Sequence, residues 1–212
     1  MNNMQIASAI ISILCFIPAI VCHEVAHGWM AHKLGDPTAE RAGRLSLNPL
    51  KHIDPFGTVI LPLMLLLMGG VVFGYAKPVP YDPRYFKNLK QGEIMTGLAG
   101  PCANLLLGFI GAAICWGGTI WYGAATGFAQ QVAYWLFYFG YYFTLVNFFL
   151  MFFNLIPIPP LDGSSLIVAF LPQKAMPTWY KIQRYSMPIL MILLIVVPMV
   201  FPSIDPIGWY MN

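Results

Sequence analysis

Long apolar runs with few charges make up most of this chain. Only 9% of its 212 residues are charged and 58% are hydrophobic, whereas about 25% of the residues in an ordinary soluble domain are charged. A helix needs about 20 apolar residues to cross a hydrocarbon core of about 30 Å. The sequence therefore predicts an all-α, polytopic integral membrane protein, and we expect residues 1–212 to form a single membrane-embedded domain.

The apolar runs define the expected topology. Four of them cover about residues 4–34, 94–121, 132–156 and 187–200. A further run, residues 56–75, is interrupted by Pro62 and Gly69-Gly70 and has lysines and arginines on both sides. Because basic residues mark cytoplasmic flanks, we favour a re-entrant hairpin for this run. We expect four transmembrane helices plus this hairpin, with a fifth or sixth span as the alternative.

Other features narrow the class of protein. The net charge of +3 is too small to indicate nucleic-acid binding. The expected partner, given the apolar runs, is the lipid bilayer. The first run lacks a basic leader and predicts a retained span rather than a cleaved signal peptide. The cysteines occur in apolar stretches without paired spacing and are interpreted as packing residues. Residues 41–50 are considered as a small membrane-associated β segment.

Two histidines and a glutamate, His23, Glu24 and His27, lie near the end of the first apolar run. Histidines four residues apart share one face of a helix and can bind one metal ion. In the H-E-x-x-H pattern the imidazoles hold zinc and the glutamate is the general base toward water that the metal activates. Polar groups at membrane depth need compensation, which a metal supplies. We interpret this motif as a zinc site.

A catalytic zinc site needs a third protein ligand. His32 lies about 140° around the helix from His27, and His52 lies in a basic loop, so we expect both side chains of His32 and His52 to be solvated or interfacial. Glu93 lies beside Lys90 at an expected helix entry and is not a convincing ligand. The remaining acidic residues in apolar surroundings are few.

The strongest third ligand is Asp162 in the stretch NLIPIPPLDG, residues 154–163. Its prolines end the apolar helix expected at about residues 132–156 and force an extended turn, since proline removes a backbone donor and fixes φ. Asp162 is thereby placed near membrane depth. The alternative is that it caps a short following helix. Its combination with a two-histidine motif favours the ligand role.

Three motifs carry a resemblance to a known family: H-E-x-x-H at residues 23–27, GLAGPCAN at 97–104 and NLIPIPPLDG at 154–163. Together they are similar to the site-2 protease family of intramembrane zinc metalloproteases, over roughly residues 5–34 and 92–172. Residues 44–58, RLSLNPLKHIDPFGT, resemble the compact prokaryotic branch of that family. We expect no inserted PDZ or CBS-type domain.

The resemblance implies a zinc metalloendopeptidase that hydrolyses peptide bonds within or near transmembrane segments of membrane proteins. It implies that His23, His27 and Asp162 hold one catalytic Zn²⁺ and that Glu24 is the catalytic base. Asn154 matches an asparagine that steadies the substrate carbonyl or oxyanion, with bonding of a broken helix end as the alternative.

The resemblance also implies a setting for the reaction. The expected location is the prokaryotic cytoplasmic membrane, with the active site toward the cytoplasmic side. The expected substrates are single-span transmembrane proteins or leftover signal peptides. Gly97, Gly100 and Pro101 would let helices approach closely. For Asn104 we favour a purely structural role, with a hydrogen bond near the site as the alternative.

Two other functions stay open. A different membrane metalloprotease would use the same histidine pair with a glutamate as third ligand. A non-enzymatic zinc carrier or receptor would use Glu24 only to support the ligands, and substitution of Glu24 by glutamine would then leave its function intact.

Overall fold

The computed structural model describes residues 3–60 and 76–192, and within them the chain is helical. The α-helices are α1 (Asn3–Lys33), α2 (Thr38–Arg41), α3 (Leu89–Ala124), α4 (Gly127–Asn154) and α5 (Met176–Met191). Short 3₁₀ helices cover Pro49–His52, Pro83–Tyr85, Asp162–Ala169 and Gln173–Ala175, and a π-helical turn covers Pro55–Ile60. The all-helical prediction is confirmed for these residues.

The β segment considered for residues 41–50 is not found, and no strand occurs elsewhere in the two described ranges. Local turn chemistry explains the difference. Gly43 has a positive φ of 64°, and the side chain of Asn48 accepts a hydrogen bond of 3.0 Å from the amide of Leu50. Pro49 then begins a 3₁₀ helix, because proline fits the first turn, where no backbone donor is needed.

Three helices are long and apolar enough to cross a membrane: Ile10–Lys33 within α1, all of α3 and all of α4. They correspond to the apolar runs at about residues 4–34, 94–121 and 132–156. The protein is therefore an integral membrane protein. Most of the predicted re-entrant hairpin, residues 61–75, and of the last run, residues 193–200, lies outside the described residues.

The ends of these helices follow from local sequence. After α1, Gly35 adopts a φ of 103°, which only glycine reaches without strain. At the start of α3 the side chain of Asn88 accepts a hydrogen bond of 3.1 Å from the amide of Gln91 and caps the helix. After α4 the chain turns through Pro157.

The spanning helices pack closely through glycines. On the α3–α4 contact, a Cβ added to Gly140 would meet the backbone of Cys115, and one added to Gly118 would lie 2.7 Å from the backbone nitrogen of Phe137. Small residues let membrane helices approach in this way. α1 packs on the pair through Cys15 and Ala19, both fully buried. Of the cysteines predicted to pack, Cys102 is instead exposed.

Candidate metal centre

His23, His27 and Asp162 bring three potential metal-ligand atoms together. The Nε2 atoms of His23 and His27 lie 3.0 Å apart on adjacent turns of α1. Oδ2 of Asp162, from the segment after α4, lies 2.9 Å from Nε2 of His23 and 3.3 Å from Nε2 of His27. Two ligands on a tetrahedral zinc ion with bonds of about 2.0–2.1 Å lie about 3.3 Å apart. The separations therefore suit one small cation.

The hydrogen bonds around the imidazoles fit a metal better than a proton. Nδ1 of His23 lies 2.5 Å from Oδ1 of Asn104, and Nδ1 of His27 lies 2.7 Å from the backbone oxygen of Thr96. Each Nδ1–H donates to its partner, so each Nε2 is a bare acceptor. Oδ2 of Asp162 is buried and has no hydrogen bond. Three acceptors that face one another without a donor repel, and a cation between them relieves this repulsion. This nitrogen and oxygen set suits zinc.

Gly100 on α3 gives the histidines their space. A Cβ at this position would collide with Nε2 of His27 and lie 2.6 Å from Nε2 of His23. Pro101 follows it inside the helix. The expectation from the sequence that this stretch lets helices approach closely is borne out at Gly100, where α3 touches the imidazoles of α1.

Asp162 is presented by the proline-rich turn and is not a helix cap. It is the first residue of the 3₁₀ helix Asp162–Ala169, whose capping position is Leu161 and whose first turn has no side-chain cap. The next residue, Gly163, lies so close to the carbonyl of Leu155 that a Cβ would collide with it. This tight return of the chain carries the carboxyl group of Asp162 back to the histidines.

Glu24 lies beside the metal-ligand atoms and is held by backbone from another part of the chain. Its Oε2 accepts a hydrogen bond of 2.9 Å from the amide of Val79. Val79 belongs to a segment without regular secondary structure, residues 76–82. The amide of Lys77 in this segment donates to the backbone oxygen of His52 over 3.0 Å. Glu24 therefore has a fixed carboxylate orientation, as a general base requires.

A cavity of about 190 Å³ opens beside this centre, and both Glu24 and His27 line it. Its wall includes the carboxyl group of Glu93, which is buried, and the hydroxyl group of Tyr81. Tyr81 and Tyr180 donate to the two oxygens of Glu93 over 3.1 and 3.0 Å. Burial and the neighbouring Glu93 raise the pKa of Tyr81 well above its usual value, so its hydroxyl group keeps the proton that it donates.

The structure places the remaining sequence candidates elsewhere. Asn154 is the last residue of α4, and its amide donates to the carbonyl of Leu150 over 2.9 Å. His32 is exposed and lies 3.6 Å from Glu40, as expected for a solvated side chain. His52 is 2% exposed, so the solvated side chain expected for it is wrong.

Sequence reasoning missed two contributors to this site. The sequence indicates only a helix entry at Glu93, yet this residue is 1% exposed and lines the cavity. The signal that could have identified Glu93 is its position directly before a long uncharged run. Val79 donates its backbone amide to Glu24, and no residue type in the sequence signals such a contact.

Comparisons with known proteins agree with this geometry. A family model described as Peptidase family M50 matches residues 11–197. YwhC of Bacillus subtilis (strain 168), named as a candidate zinc metalloprotease, is 35% identical over 188 residues, which are 86% of this chain and 79% of YwhC. Rip2 of Mycolicibacterium smegmatis, named in the same way, is 29% identical over 197 residues, which are 88% of this chain and 67% of Rip2.

Similarity extends to archaea. MJ0611 of Methanocaldococcus jannaschii, also named as a candidate zinc metalloprotease, is 28% identical over 166 residues, which are 78% of this chain and 73% of MJ0611. No solved structure matches the chain. The family model spans most of the sequence, and the possible His-His-Asp metal site accords with an H-E-x-x-H motif completed by an aspartate. The protein is therefore a zinc metalloprotease and belongs to peptidase family M50.

Proposed function

We propose that this protein is an intramembrane protease that hydrolyses peptide bonds within or near transmembrane segments of other membrane proteins. The observation that carries the proposal is the position of the candidate metal ligands. His23 and His27 belong to the apolar span Ile10–Lys33, and they contact residues of a second spanning helix, α3. A peptide bond that reaches these ligands is close to the bilayer.

In this proposal His23, His27 and Asp162 hold one zinc ion, and Glu24 is the general base. Zinc, when bound, acts as a Lewis acid that activates water and polarises a carbonyl group. Glu24 takes a proton from water and passes it to the leaving amine, as expected of a carboxylate within reach of both. Its place on the cavity wall next to His27 supports this role.

Asn154 is proposed to donate a hydrogen bond to the oxyanion of the substrate. Its amide is engaged with the carbonyl of Leu150, and the cavity is lined by other residues. The role therefore requires the Asn154 side chain to rotate away from its own helix when substrate binds. The bond to Leu150 would be replaced by a bond to the substrate.

We further propose that the site faces the cytoplasm and acts on single-span proteins or leftover signal peptides. All 11 lysines and arginines lie at the end of α1, between α1 and α3, in the first turn of α3 or after α4, and the α3–α4 connection has none. Basic residues favour the cytoplasmic side. Ile10 to His23 is 13 residue steps, or about 20 Å of helix at about 1.5 Å per step, and this depth supports a site near that side.

The test is cleavage of a single-span substrate in liposomes, with the cut bond identified by mass spectrometry. Wild type is compared with Glu24→Gln and with Glu40→Gln, which changes an exposed glutamate on α2. We expect wild type and Glu40→Gln to cut inside or beside the apolar segment and Glu24→Gln to retain zinc without cleavage. Cuts confined to bonds far from that segment, or full activity of Glu24→Gln, would contradict the proposal.

A further inference from the structure

Two asparagines on facing membrane-spanning helices lie behind His23. Asn104 on α3 and Asn147 on α4 are both 0% exposed. Nδ2 of Asn104 donates to Oδ1 of Asn147 over 2.9 Å and lies 3.3 Å from the carbonyl oxygen of Ala19 on α1. Buried amides in spanning helices are costly unless they are bonded, and they mark functional positions.

The hydrogen bonds of this pair, which we call the amide chain, run in one direction. The backbone carbonyl of Phe143 can only accept, so Asn147 turns Nδ2 toward it, at 2.8 Å. Oδ1 of Asn147 therefore faces Asn104 and must receive an N–H. This orients Asn104 with Nδ2 toward Asn147 and Oδ1 toward the imidazole of His23.

The end of the amide chain selects the tautomer of His23. Oδ1 of Asn104 can only accept, so Nδ1 of His23 carries the proton. Nε2 of His23 is then a bare acceptor, directed at Nε2 of His27 and Oδ2 of Asp162. A rotated Asn104 amide would present N–H groups to Nδ1 and favour the opposite tautomer, which cannot bind a metal through Nε2.

The two histidines are held in different ways. His27 donates to the backbone oxygen of Thr96, which no side-chain change removes. His23 instead bonds to the side chain of Asn104, and the side chain of Asn147 orients Asn104. The orientation of one candidate ligand is therefore set from α4, a helix that contributes no atom to the group of metal-ligand atoms.

We propose that Asn104 and Asn147 are positioning residues that fix the tautomer and ring orientation of His23 for metal binding. This inference rests on the proposed assignment of His23 as a zinc ligand. Partners of ligating histidines typically contribute 10- to 100-fold to metal affinity. If the asparagines served only to hold the helices together, their loss would lower stability and leave the metal affinity unchanged.

The test measures zinc affinity of the full chain in detergent by competition with a chelator, together with the visible absorption of the Co²⁺-substituted protein. The variants are Asn104→Leu, Asn147→Leu, the double variant and His23→Ala. The matched control is Thr144→Val, which removes a hydroxyl group on α4 that donates to the carbonyl of Gly140 over 2.7 Å. Circular dichroism and size-exclusion chromatography select the folded variants.

We expect Asn104→Leu to weaken zinc binding 10- to 100-fold and to change the Co²⁺ spectrum. Asn147→Leu should weaken zinc binding several-fold, although it lies one residue further from the ligand. Because Asn147 acts through Asn104, its substitution should add nothing when Asn104 is already leucine, which is the signature of coupled sites. Thr144→Val should bind zinc like wild type.

Wild-type zinc affinity of folded Asn104→Leu or Asn147→Leu would overturn the inference, and if Asn104→Leu does not fold, Asn147→Leu alone decides. If the asparagine variants bind zinc like wild type while His23→Ala loses zinc, the inference fails and the proposed function stays intact. Wild-type zinc binding by His23→Ala itself would instead remove the ligand assignment, and the inference with it. The experiment therefore separates the two failures.

Discussion

Oε2 of Glu24 accepts a 2.9 Å hydrogen bond from the backbone amide of Val79, which lies 55 residues further along the chain. The bond engages one carboxylate oxygen and leaves the other available for a proton. The segment 76–82 that carries Val79 is fixed at its other end, where the amide of Asp82 donates to Oδ2 of the fully buried Asp36 over 2.6 Å. A part of the chain outside α1 therefore sets the orientation of the proposed base.

Val79→Pro should reduce cleavage without releasing zinc. Proline has no amide hydrogen, so Glu24 would lose its fixed donor while the candidate ligands stay in place. A hydrogen bond to a charged group contributes about 1.5–3 kcal/mol, which predicts roughly a 10- to 100-fold lower kcat. Zinc content and single-turnover cleavage in detergent measure the two effects.

The control for this change is Val79→Ala, which keeps the amide and shortens the buried side chain. It should cleave within a few-fold of wild type. Equal losses in both variants would show that packing of Val79, rather than its amide, accounts for the effect.

Gly100→Ala should abolish most zinc binding. The added Cβ would occupy the space of the two imidazoles, lying 2.6 Å from Nε2 of His23, and a collision of this kind in a packed helix contact forces the ligands apart. Gly117→Ala, on the same helix with no atom within 4 Å of the new Cβ, should retain zinc. Metal analysis of both purified variants checks the prediction, and normal zinc content in Gly100→Ala would contradict it.

Tyr81→Phe and Tyr180→Phe should each destabilise the protein. Each removes a hydroxyl donor to the buried Glu93, at a cost of about 1.5–3 kcal/mol for a hydrogen bond to a charged group. The double variant should lose more than the sum, because Glu93 would have no donor left among its described contacts. The free energy of unfolding in detergent is the measurement.

Tyr85→Phe is the control for the tyrosine series, since Tyr85 is 46% exposed. Its free energy of unfolding should stay within about 0.5 kcal/mol of wild type. If Tyr81→Phe behaves like Tyr85→Phe, the hydrogen bonds to Glu93 do not hold the segment 76–82 and α5 against α3.

The features that could be predicted were local or chemically scarce. His23 and His27 face the same way because the helix itself fixes their spacing. Asp162 was identifiable because few acidic residues occur in apolar surroundings, and the structure brings its carboxyl group to the histidines. The helices at residues 3–33, 89–124 and 127–154 followed from long uncharged runs.

The features that could not be predicted depend on distant contacts. His52 is buried with its ring donating to the carbonyl of Ser46 across a turn. The basic residues of this loop indicate a solvated segment, so the sequence does not reveal the contact. Lys90 does not pair with Glu93 but donates to the carbonyl of Ala169. The donors to Glu93 are instead Tyr81 and Tyr180. No residue type in the sequence identifies such backbone partners. A pattern of charges alone therefore predicts the wrong contacts for the side chains that bond to them.

We propose a zinc hydrolase in which His23, His27 and Asp162 are the ligands and Glu24 is the base. The most direct measurement is zinc per chain and cleavage of a single-span substrate for wild type, Glu24→Gln and Asp162→Ala in parallel. We expect Glu24→Gln to keep zinc and lose cleavage, whereas Asp162→Ala should lose both. Wild-type cleavage by Glu24→Gln, or full zinc content with normal cleavage in Asp162→Ala, would contradict it.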